Sequence, residues 1–105
     1  MDEKEFIIQK VKAYKNLVDT LFPVTIDECW LYGSYAKGTQ RKYSDIDVAF
    51  VVDHLDENYD FTRTEPFLWK LTRQIDNRIE PLLIARDTDY SGFLNEIKLT
   101  GIKII

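Results

Sequence analysis

The chain has 105 residues, 45% of them hydrophobic and 30% charged, a composition that predicts one globular domain over residues 1–105 and excludes a disordered chain. Eighteen Asp and Glu against fourteen Lys and Arg give a net charge of −4, the wrong sign for an extended groove that binds nucleic-acid phosphates. The acidic start, the lack of an apolar run of roughly 18–20 residues and the single cysteine, Cys29, predict a cytoplasmic protein that does not span a membrane.

The first half of the chain predicts one helix and two strands. Apolar residues at helical spacing predict an amphipathic helix over residues 2–22, and Pro23 ends it. This apolar stripe consists of Ile7, Val11, Tyr14, Val18 and Leu21. Branched and aromatic residues predict a strand over residues 25–32, and a loop rich in glycine and cations over 33–44 separates it from an apolar strand over 45–52.

The second half predicts a surface loop, a helix and a third strand. Residues 54–64 are polar and predict the loop, and Pro66 suits the first turn of the helix. The apolar positions of this helix are Phe67, Leu68, Leu71 and Ile75. Residues 78–85 predict the strand, in which Pro81 has no N–H to donate and therefore has to face an edge or a bulge.

The C-terminal residues predict a short helix and a last strand. Ser91 suits the N-cap of the helix, Gly101 suits its end, and residues 102–105 predict the strand. The order of elements predicts a small mixed β-sheet with helices packed on it, an α/β sandwich. More aromatic residues are present than so small a core encloses, which favours a partner surface and a homo-oligomer. They are Trp30, Tyr32, Tyr35, Phe61, Phe67 and Trp69.

Two carboxylates interrupt the start of the apolar strand over 45–52. Because successive side chains of a strand alternate faces, Asp45 and Asp47 point to one side while the apolar residues point to the core. Like charges at one place are stable at neutral pH when a cation lies between them or water screens them. Carboxylates of this kind favour Mg²⁺, which is commonly held by one or two of them and by substrate phosphates. The alternative is a solvated strand end.

The turn that follows the strand over 25–32 has residues that suit a phosphate group. Gly33 lets the backbone come close to a ligand, and Ser34 offers its hydroxyl and the amides of a short helix that begins there. Lys37, Lys42 or Arg41 supplies positive charge for the phosphate oxygens. The alternative for these three cations is a plain surface position.

A third carboxylate follows in the predicted strand over 78–85. If that strand lies beside the one that carries Asp45 and Asp47, Glu80 completes an acidic trio. Glu80 is then the candidate base that takes a proton from an attacking hydroxyl. The alternative is an ordinary exposed carboxylate on an edge strand.

The segment GSYAKGTQRKYSDID resembles the motif of the minimal nucleotidyltransferases of the DNA polymerase beta-like superfamily, in which ten residues separate Gly-Ser from Asp-x-Asp. The chain looks like the antitoxin of a HEPN/MNT toxin–antitoxin pair. This resemblance implies the polymerase beta-like fold, one or two Mg²⁺ ions on Asp45 and Asp47, and triphosphate binding by Gly33 and Ser34. Glu80 stands where the family more often has Asp, as the third metal ligand.

The resemblance also implies an activity, namely Mg²⁺-dependent transfer of AMP from ATP to a hydroxyl. The chain has no room for a domain that holds an acceptor, so we expect the acceptor on another chain, as a tyrosine of a helical HEPN toxin. Two other functions remain open. One is an antitoxin that neutralises its partner by binding alone, and the other is transfer to a small molecule.

Overall fold

The computed structural model describes residues 1–22, 24–56, 59 and 61–105, and within them the chain forms a four-stranded sheet with helices packed on it. The strands are β1 (Glu28–Tyr32), β2 (Ile46–Val52), β3 (Ile79–Ala85) and β4 (Ile102–Lys103). The helices are α1 (Glu3–Leu21), α2 (Ser34–Lys37), α3 (Phe61–Thr72) and α4 (Phe93–Thr100), and a 3-10 turn lies at Arg86–Thr88.

The sheet is mixed, with the strand order β3-β2-β1-β4. Strand β1 runs antiparallel to both of its neighbours, whereas β2 and β3 are parallel and α3 connects them along the chain. The last residue of β1 and the first residues of β2 and β3 therefore meet at one end of the sheet. Gly33, Asp47 and Glu80 lie at this end.

The main hydrophobic core lies on the face of the sheet that α1 and α3 cover. Alternate β2 residues Ile46, Val48 and Phe50 are fully buried in it, as the strand pattern predicts. The helices contribute Ile7, Val11, Tyr14, Val18, Leu68 and Leu71 to the same core. Burial of this apolar surface, at about 25 cal/mol per Å², supplies the main driving force for folding.

The opposite face of the sheet has a smaller apolar cluster beneath α4. The cluster consists of Trp30, Ala49, Val51, Ile84, Leu94 and Ile97. Asp47 and Glu80 lie on this face because side chains alternate along β2 and β3. Asp47 is half-buried and Glu80 is exposed, so the fold leaves both carboxylates accessible to a ligand.

The structure confirms the mixed α/β architecture and several local predictions. Strand β3 is an edge strand. This position suits Pro81, which has no N–H to donate to a further strand. Cys29 is buried, and that burial raises the pKa of its thiol to about 12. Strand β1 begins at Glu28, later than the predicted residue 25.

The predicted start of α3 is wrong, because the helix begins at Phe61 and has Pro66 inside it. An internal proline removes one backbone hydrogen bond, so sequence reasoning places it at the first turn. Burial of Leu68 and Leu71 against the main core offsets this loss. The predicted loop over 54–64 therefore ends earlier, and residues 57, 58 and 60 lie outside the described residues.

The predicted ends of the other helices also need correction. Leu21 is 49% exposed instead of buried, and Phe22, which follows α1, is buried in its place. The N-cap of α4 is Gly92 rather than Ser91, and Asp89 Oδ2 accepts a hydrogen bond from the Leu94 N–H at 2.9 Å. Strand β4 covers only Ile102–Lys103, and Pro23 lies outside the described residues.

The surface exposes only part of the predicted aromatic set. Trp69 on α3 is 47% exposed, whereas Trp30 and Tyr35 are buried. The side chain of Phe61 lies outside the described part of the chain. Among the described residues, no helix combines the length and the apolar character that crossing a bilayer requires. Association into a homo-oligomer stays a prediction.

We expect Tyr14→Phe to lower the free energy of unfolding by about 1 kcal/mol, the usual net contribution of a buried hydrogen bond. The Tyr14 hydroxyl donates to the Leu68 carbonyl at 2.7 Å and thereby ties α1 to α3, while the ring packs 5.5 Å from that of Phe50. Urea unfolding measures the change. Tyr43→Phe is the control, since Tyr43 is 81% exposed; equal stabilities of the two variants would contradict the expectation.

Candidate active site

Three neighbouring strands each bring a polar residue to the same end of the sheet. Tyr32 pairs with Asp47 across the antiparallel β1 and β2, and Asp47 pairs with Glu80 across the parallel β2 and β3. Register partners point to the same face, so these three side chains lie in one row. Asp45 directly precedes β2 and is exposed, two residues before Asp47 on the same side of the chain.

The carboxylates of this row interact with one another. In its protonated form the Glu80 carboxyl group is placed to donate a hydrogen bond to Asp45 or Asp47, which favours the protonated form of Glu80. Partial burial and then the negative charge of Asp45 raise the pKa of Asp47, while its hydrogen bond with Glu80 lowers it in part. Partial burial and the charges of both aspartates raise the pKa of Glu80. The trio therefore favours either a shared proton or a bound cation.

Gly33 places the turn before α2 directly against Asp47. A Cβ atom at position 33 would lie 2.2 Å from Asp47 Oδ2, which no side chain can do without displacing that carboxylate. Gly33 also has φ +73° and ψ −151°, a backbone region that is essentially restricted to glycine. Glycine is therefore required here for two reasons, namely the backbone conformation and the lack of space for a side chain beside Asp47.

The short helix α2 starts at Ser34 immediately after this glycine. The Lys37 N–H donates to the Gly33 carbonyl at 3.1 Å, and the Thr39 N–H donates to the Ser34 carbonyl at 3.0 Å. These bonds leave the first amides of α2 without a partner within the helix, which is the usual condition of a helix start. The Gly33–Ser34 turn and the carboxylates thus lie side by side, as the motif spacing predicts.

The three candidate cations differ in their positions. Lys37, at the end of α2, lines a small cleft together with Tyr32, Gly33 and Phe93. Lys42 is exposed, and its ammonium lies 5.5 Å from the centroid of the Tyr43 ring.

Arg41 is held in a turn, where its N–H donates to Ser44 Oγ at 2.7 Å. The described contacts of Arg41 and Lys42 are thus with residues of their own loop. Of the three cations, Lys37 is therefore the one that lies at the edge of the site, where it lines the same cleft as Tyr32 and Gly33.

Sequence reasoning missed Tyr32 as part of the site. Its burial and then the charges of Asp47 and Glu80 raise the pKa of its phenol to about 12, so the hydroxyl keeps its proton next to the acidic row. Its ring packs edge-on against Phe93 of α4 at 5.9 Å. The sequence pattern places Tyr32 only among the surplus aromatic residues, because its position beside Asp47 depends on the β1–β2 register, which no local pattern gives.

Sequence reasoning also missed an ion-pair network that consists of Lys10, Asp76 and Arg78. The Arg78 guanidinium binds Asp76 through two nitrogens, at 3.1 and 2.8 Å, and Lys10 Nζ binds Asp76 Oδ2 at 2.7 Å. The Arg78 bonds, opposed by partial burial, and the bond from Lys10 hold the pKa of Asp76 well below its usual range. Asp76 and Arg78 are near neighbours in the chain, but Lys10 comes from the distant α1, and no local pattern indicates that the three side chains meet.

The donor chemistry of the acidic row suits a hard divalent cation. Among the described residues, no group of three or more His, Cys, Asp or Glu is already arranged to hold a metal ion. Mg²⁺ does not need such a group, since one or two carboxylates and the phosphates of a substrate commonly complete its shell. Asp45 and Asp47 provide those oxygens beside the Gly33–Ser34 turn, and a cation would relieve the repulsion that raises the Asp47 pKa.

Comparison with known proteins identifies the family of this fold and site. A family model described as "Nucleotidyltransferase domain" matches residues 11–99. The chain belongs to this family. It is a nucleotidyltransferase, as the motif predicts. The protein is 26% identical over 98 residues to a putative protein adenylyltransferase of Methanocaldococcus jannaschii, and this alignment covers 93% of the chain and 98% of that relative.

Solved structures share the fold of this nucleotidyltransferase. A putative nucleotidyltransferase from Sulfolobus solfataricus superimposes with a TM-score of 0.64 at 22% identity, over 95% of this chain and 80% of that one. A toxin–antitoxin structure with AMP-PNP gives a TM-score of 0.65 at 21% identity, over 93% and 72%. A mutant of the toxin–antitoxin MntA-HpeT gives 0.64 at 20% identity, over 90% and 71%. The nucleotidyltransferase fold that the motif predicts is thus confirmed.

We expect Gly33→Ala to destabilise the protein by about 2–4 kcal/mol, because about 1–3 kcal/mol of backbone strain adds to the displacement of Asp47. Gly38→Ala is the matched control. Gly38 also has positive φ, +75°, but a Cβ there meets nothing within 4 Å, so we expect only the backbone strain. Thermal and urea unfolding measure both variants, and equal losses would contradict the contact with Asp47.

We expect Glu80→Gln to stabilise the metal-free protein near pH 7 by up to about 1 kcal/mol, since water screens this exposed group. The folded pKa of Glu80 lies above its ordinary value of 4.5, so the stability linked to its proton is present at low pH and is lost as the pH rises through the folded pKa. Glutamine cannot ionise and avoids that loss.

The advantage of Glu80→Gln should therefore disappear below about pH 4, where the carboxyl is protonated in both states. Urea unfolding in EDTA at several pH values measures the effect. Glu96→Gln, on the exposed side of α4, serves as the control. A Glu80→Gln variant that is less stable than the wild type at pH 7 would show that the neighbours stabilise the ionised carboxylate.

Proposed function

We propose that this nucleotidyltransferase transfers AMP from ATP, with Mg²⁺, to a hydroxyl group of a partner protein. The observation that carries the proposal is the convergence of Asp45, Asp47 and Glu80 beside a turn whose glycine contacts Asp47. Carboxylates next to a phosphate-binding turn are the chemistry that a nucleoside triphosphate with a divalent cation requires. We place this reaction in the cytoplasm, where ATP is available.

The Gly33–Ser34 turn binds the triphosphate in this proposal. The free amides at the start of α2 and the Ser34 hydroxyl donate to phosphate oxygens, and Lys37 adds positive charge at the edge of the same cleft. Lys42 is a weaker candidate for this role, because its described contact is with Tyr43. Asp45 and Asp47 would hold Mg²⁺, which would supply positive charge to offset the negative charge that develops on the phosphates.

Glu80 acts as the base that takes the proton of the acceptor hydroxyl. The hydroxyl oxygen attacks the α-phosphorus, the bond from that phosphorus to the bridging oxygen breaks, and pyrophosphate leaves. Glu80 suits this role by its position, since it is the register partner of Asp47 and its carboxylate lies beside the proposed cation site. Its exposure on an edge strand lets an acceptor reach it.

The acceptor is a tyrosine of a partner toxin, for which we propose the helical HEPN class, and its modification is how the protein acts as an antitoxin. Two comparisons support a protein acceptor and a toxin partner. The relative from Methanocaldococcus jannaschii bears the name of a putative protein adenylyltransferase, and two structural neighbours are toxin–antitoxin complexes. One of those complexes contains AMP-PNP, an analogue of ATP, which supports ATP as the donor.

We expect Asp45→Asn and Asp47→Asn each to reduce AMP transfer by at least about 100-fold, because the amide loses the charge that holds a divalent cation. Intact mass spectrometry of the partner, incubated with the protein, ATP and Mg²⁺, measures the gain of one nucleoside monophosphate. EDTA should abolish the gain. Asp19→Asn, an exposed carboxylate on α1, should leave it unchanged.

Neutralisation by binding alone is the second candidate function. The half-exposed Trp69 on α3 favours it, since exposed tryptophan is typical of protein interfaces. The same experiment separates the two functions. A tight complex of the partner with wild-type protein and no gain of mass would overturn the enzymatic proposal and support binding.

A further inference from the structure

One residue contacts all three segments of the candidate active site. Arg78 lies at the turn before β3, two positions before Glu80. Its side chain reaches the helix that begins at Ser34, and its main chain reaches the residue between Asp45 and Asp47. Arg78 lies outside the Gly-Ser and Asp-x-Asp motif, and the roles proposed above do not use it.

The side chain of Arg78 fixes α2 through Tyr35. Arg78 Nη1 donates to the Tyr35 hydroxyl at 2.9 Å, and the guanidinium carbon lies 5.9 Å from the centroid of the Tyr35 ring. Tyr35 directly follows Ser34 and is only 3% exposed. The buried Tyr35 side chain therefore anchors α2, and its hydrogen bond with the guanidinium fixes the position of that anchor.

The guanidinium is itself held by Asp76. Arg78 Nε and Nη2 donate to the two oxygens of Asp76, and the Arg78 N–H donates to Oδ1 at 2.9 Å. The third nitrogen of the planar fork, Nη1, is thereby aimed at Tyr35. Lysine, a point charge on a flexible stem, cannot make these contacts at the same time.

The main chain of Arg78 fixes the carboxylates. Its carbonyl accepts the Ile46 N–H at 2.8 Å, so it holds the backbone between Asp45 and Asp47. The chain then continues into β3, where Glu80 pairs with Asp47. The phosphate-binding turn and the carboxylates are thus tied to the same residue by different atoms.

We infer that Arg78 is a positioning residue, which holds the Gly33–Ser34 turn at the correct distance from Asp45 and Asp47 so that a triphosphate and its cation bind together. The inference rests on the proposed function for the identity of the ligand. Arg78 does not contact the ligand in this role. Its effect reaches the Gly33–Ser34 turn through Tyr35.

Binding of ATP with Mg²⁺, measured by isothermal titration calorimetry, tests this role. We expect Arg78→Gln to weaken binding about tenfold, the usual effect of losing a group that orients a ligand-binding residue. Tyr35→Phe keeps the buried ring and loses the acceptor of the Arg78 bond, so it should weaken binding in the same direction. The double variant should be no weaker than Arg78→Gln alone, because both changes break one connection. Arg78→Lys should also weaken binding, because lysine cannot hold Asp76 and Tyr35 at the same time.

Lys10→Met is the matched control. It removes the other cation on Asp76 but leaves the Arg78–Tyr35 contact in place, so it should lower the thermal midpoint while ATP affinity stays within twofold of the wild type. The inference is overturned if Arg78→Gln binds ATP as the wild type does, or if Lys10→Met weakens binding equally. If Arg78→Gln does not fold, Tyr35→Phe decides by the same criterion.

Amide hydrogen exchange separates this inference from the proposed function. The amides of Lys37 and Thr39 bond to the Gly33 and Ser34 carbonyls, and they should exchange faster in Arg78→Gln and Tyr35→Phe but not in Lys10→Met. Unchanged exchange in the first two variants would overturn the positioning role. A wild-type protein that binds no ATP would contradict the proposed function, while the exchange rates would still decide whether Arg78 fixes the turn.

Discussion

Repulsion between like charges is the constraint on which the candidate active site depends. The register of β2 and β3 forces Asp47 and Glu80 side by side, and Asp45 adds its charge from the residue before β2. Water, a shared proton or a cation has to compensate this charge, and partial burial limits what water can do. The main core of the protein, on the other face of the sheet, supplies the stability that holds such an arrangement together.

The two faces of the sheet have different roles, since one carries the main core and the other carries Asp47 and Glu80. On one face α1 and α3 bury alternate residues of β2, including Ile46 and Val48, which lie next to Asp47 in the chain. On the other face α4 covers only part of the sheet and leaves the end with Asp47 and Glu80 open. Strand alternation thus converts one stretch of sequence into a rigid support and a reactive surface.

The sequence predicted the elements and the residues of the site better than their boundaries and connections. The spacing between Gly33 and Asp47 was informative because both the turn and the strand are local structures with strong patterns. The start of α3 was not predictable from Pro66, since tertiary packing of Leu68 and Leu71 overrides a local preference. Tyr32 and Arg78 depend on the strand register and on contacts between distant segments, for which a single sequence carries no local signal.

The position of Glu80 on an edge strand explains how a glutamate serves beside two aspartates. Neighbouring strands lie about 4.8 Å apart, so a side chain on β3 has to cross that distance to meet those on and before β2. From this position the protonated Glu80 carboxyl group reaches Asp45 and Asp47, which its longer side chain permits. The edge also leaves the outer side of Glu80 open, where an acceptor hydroxyl can approach without moving the sheet. The same geometry thus provides contact with the aspartates on one side and access on the other.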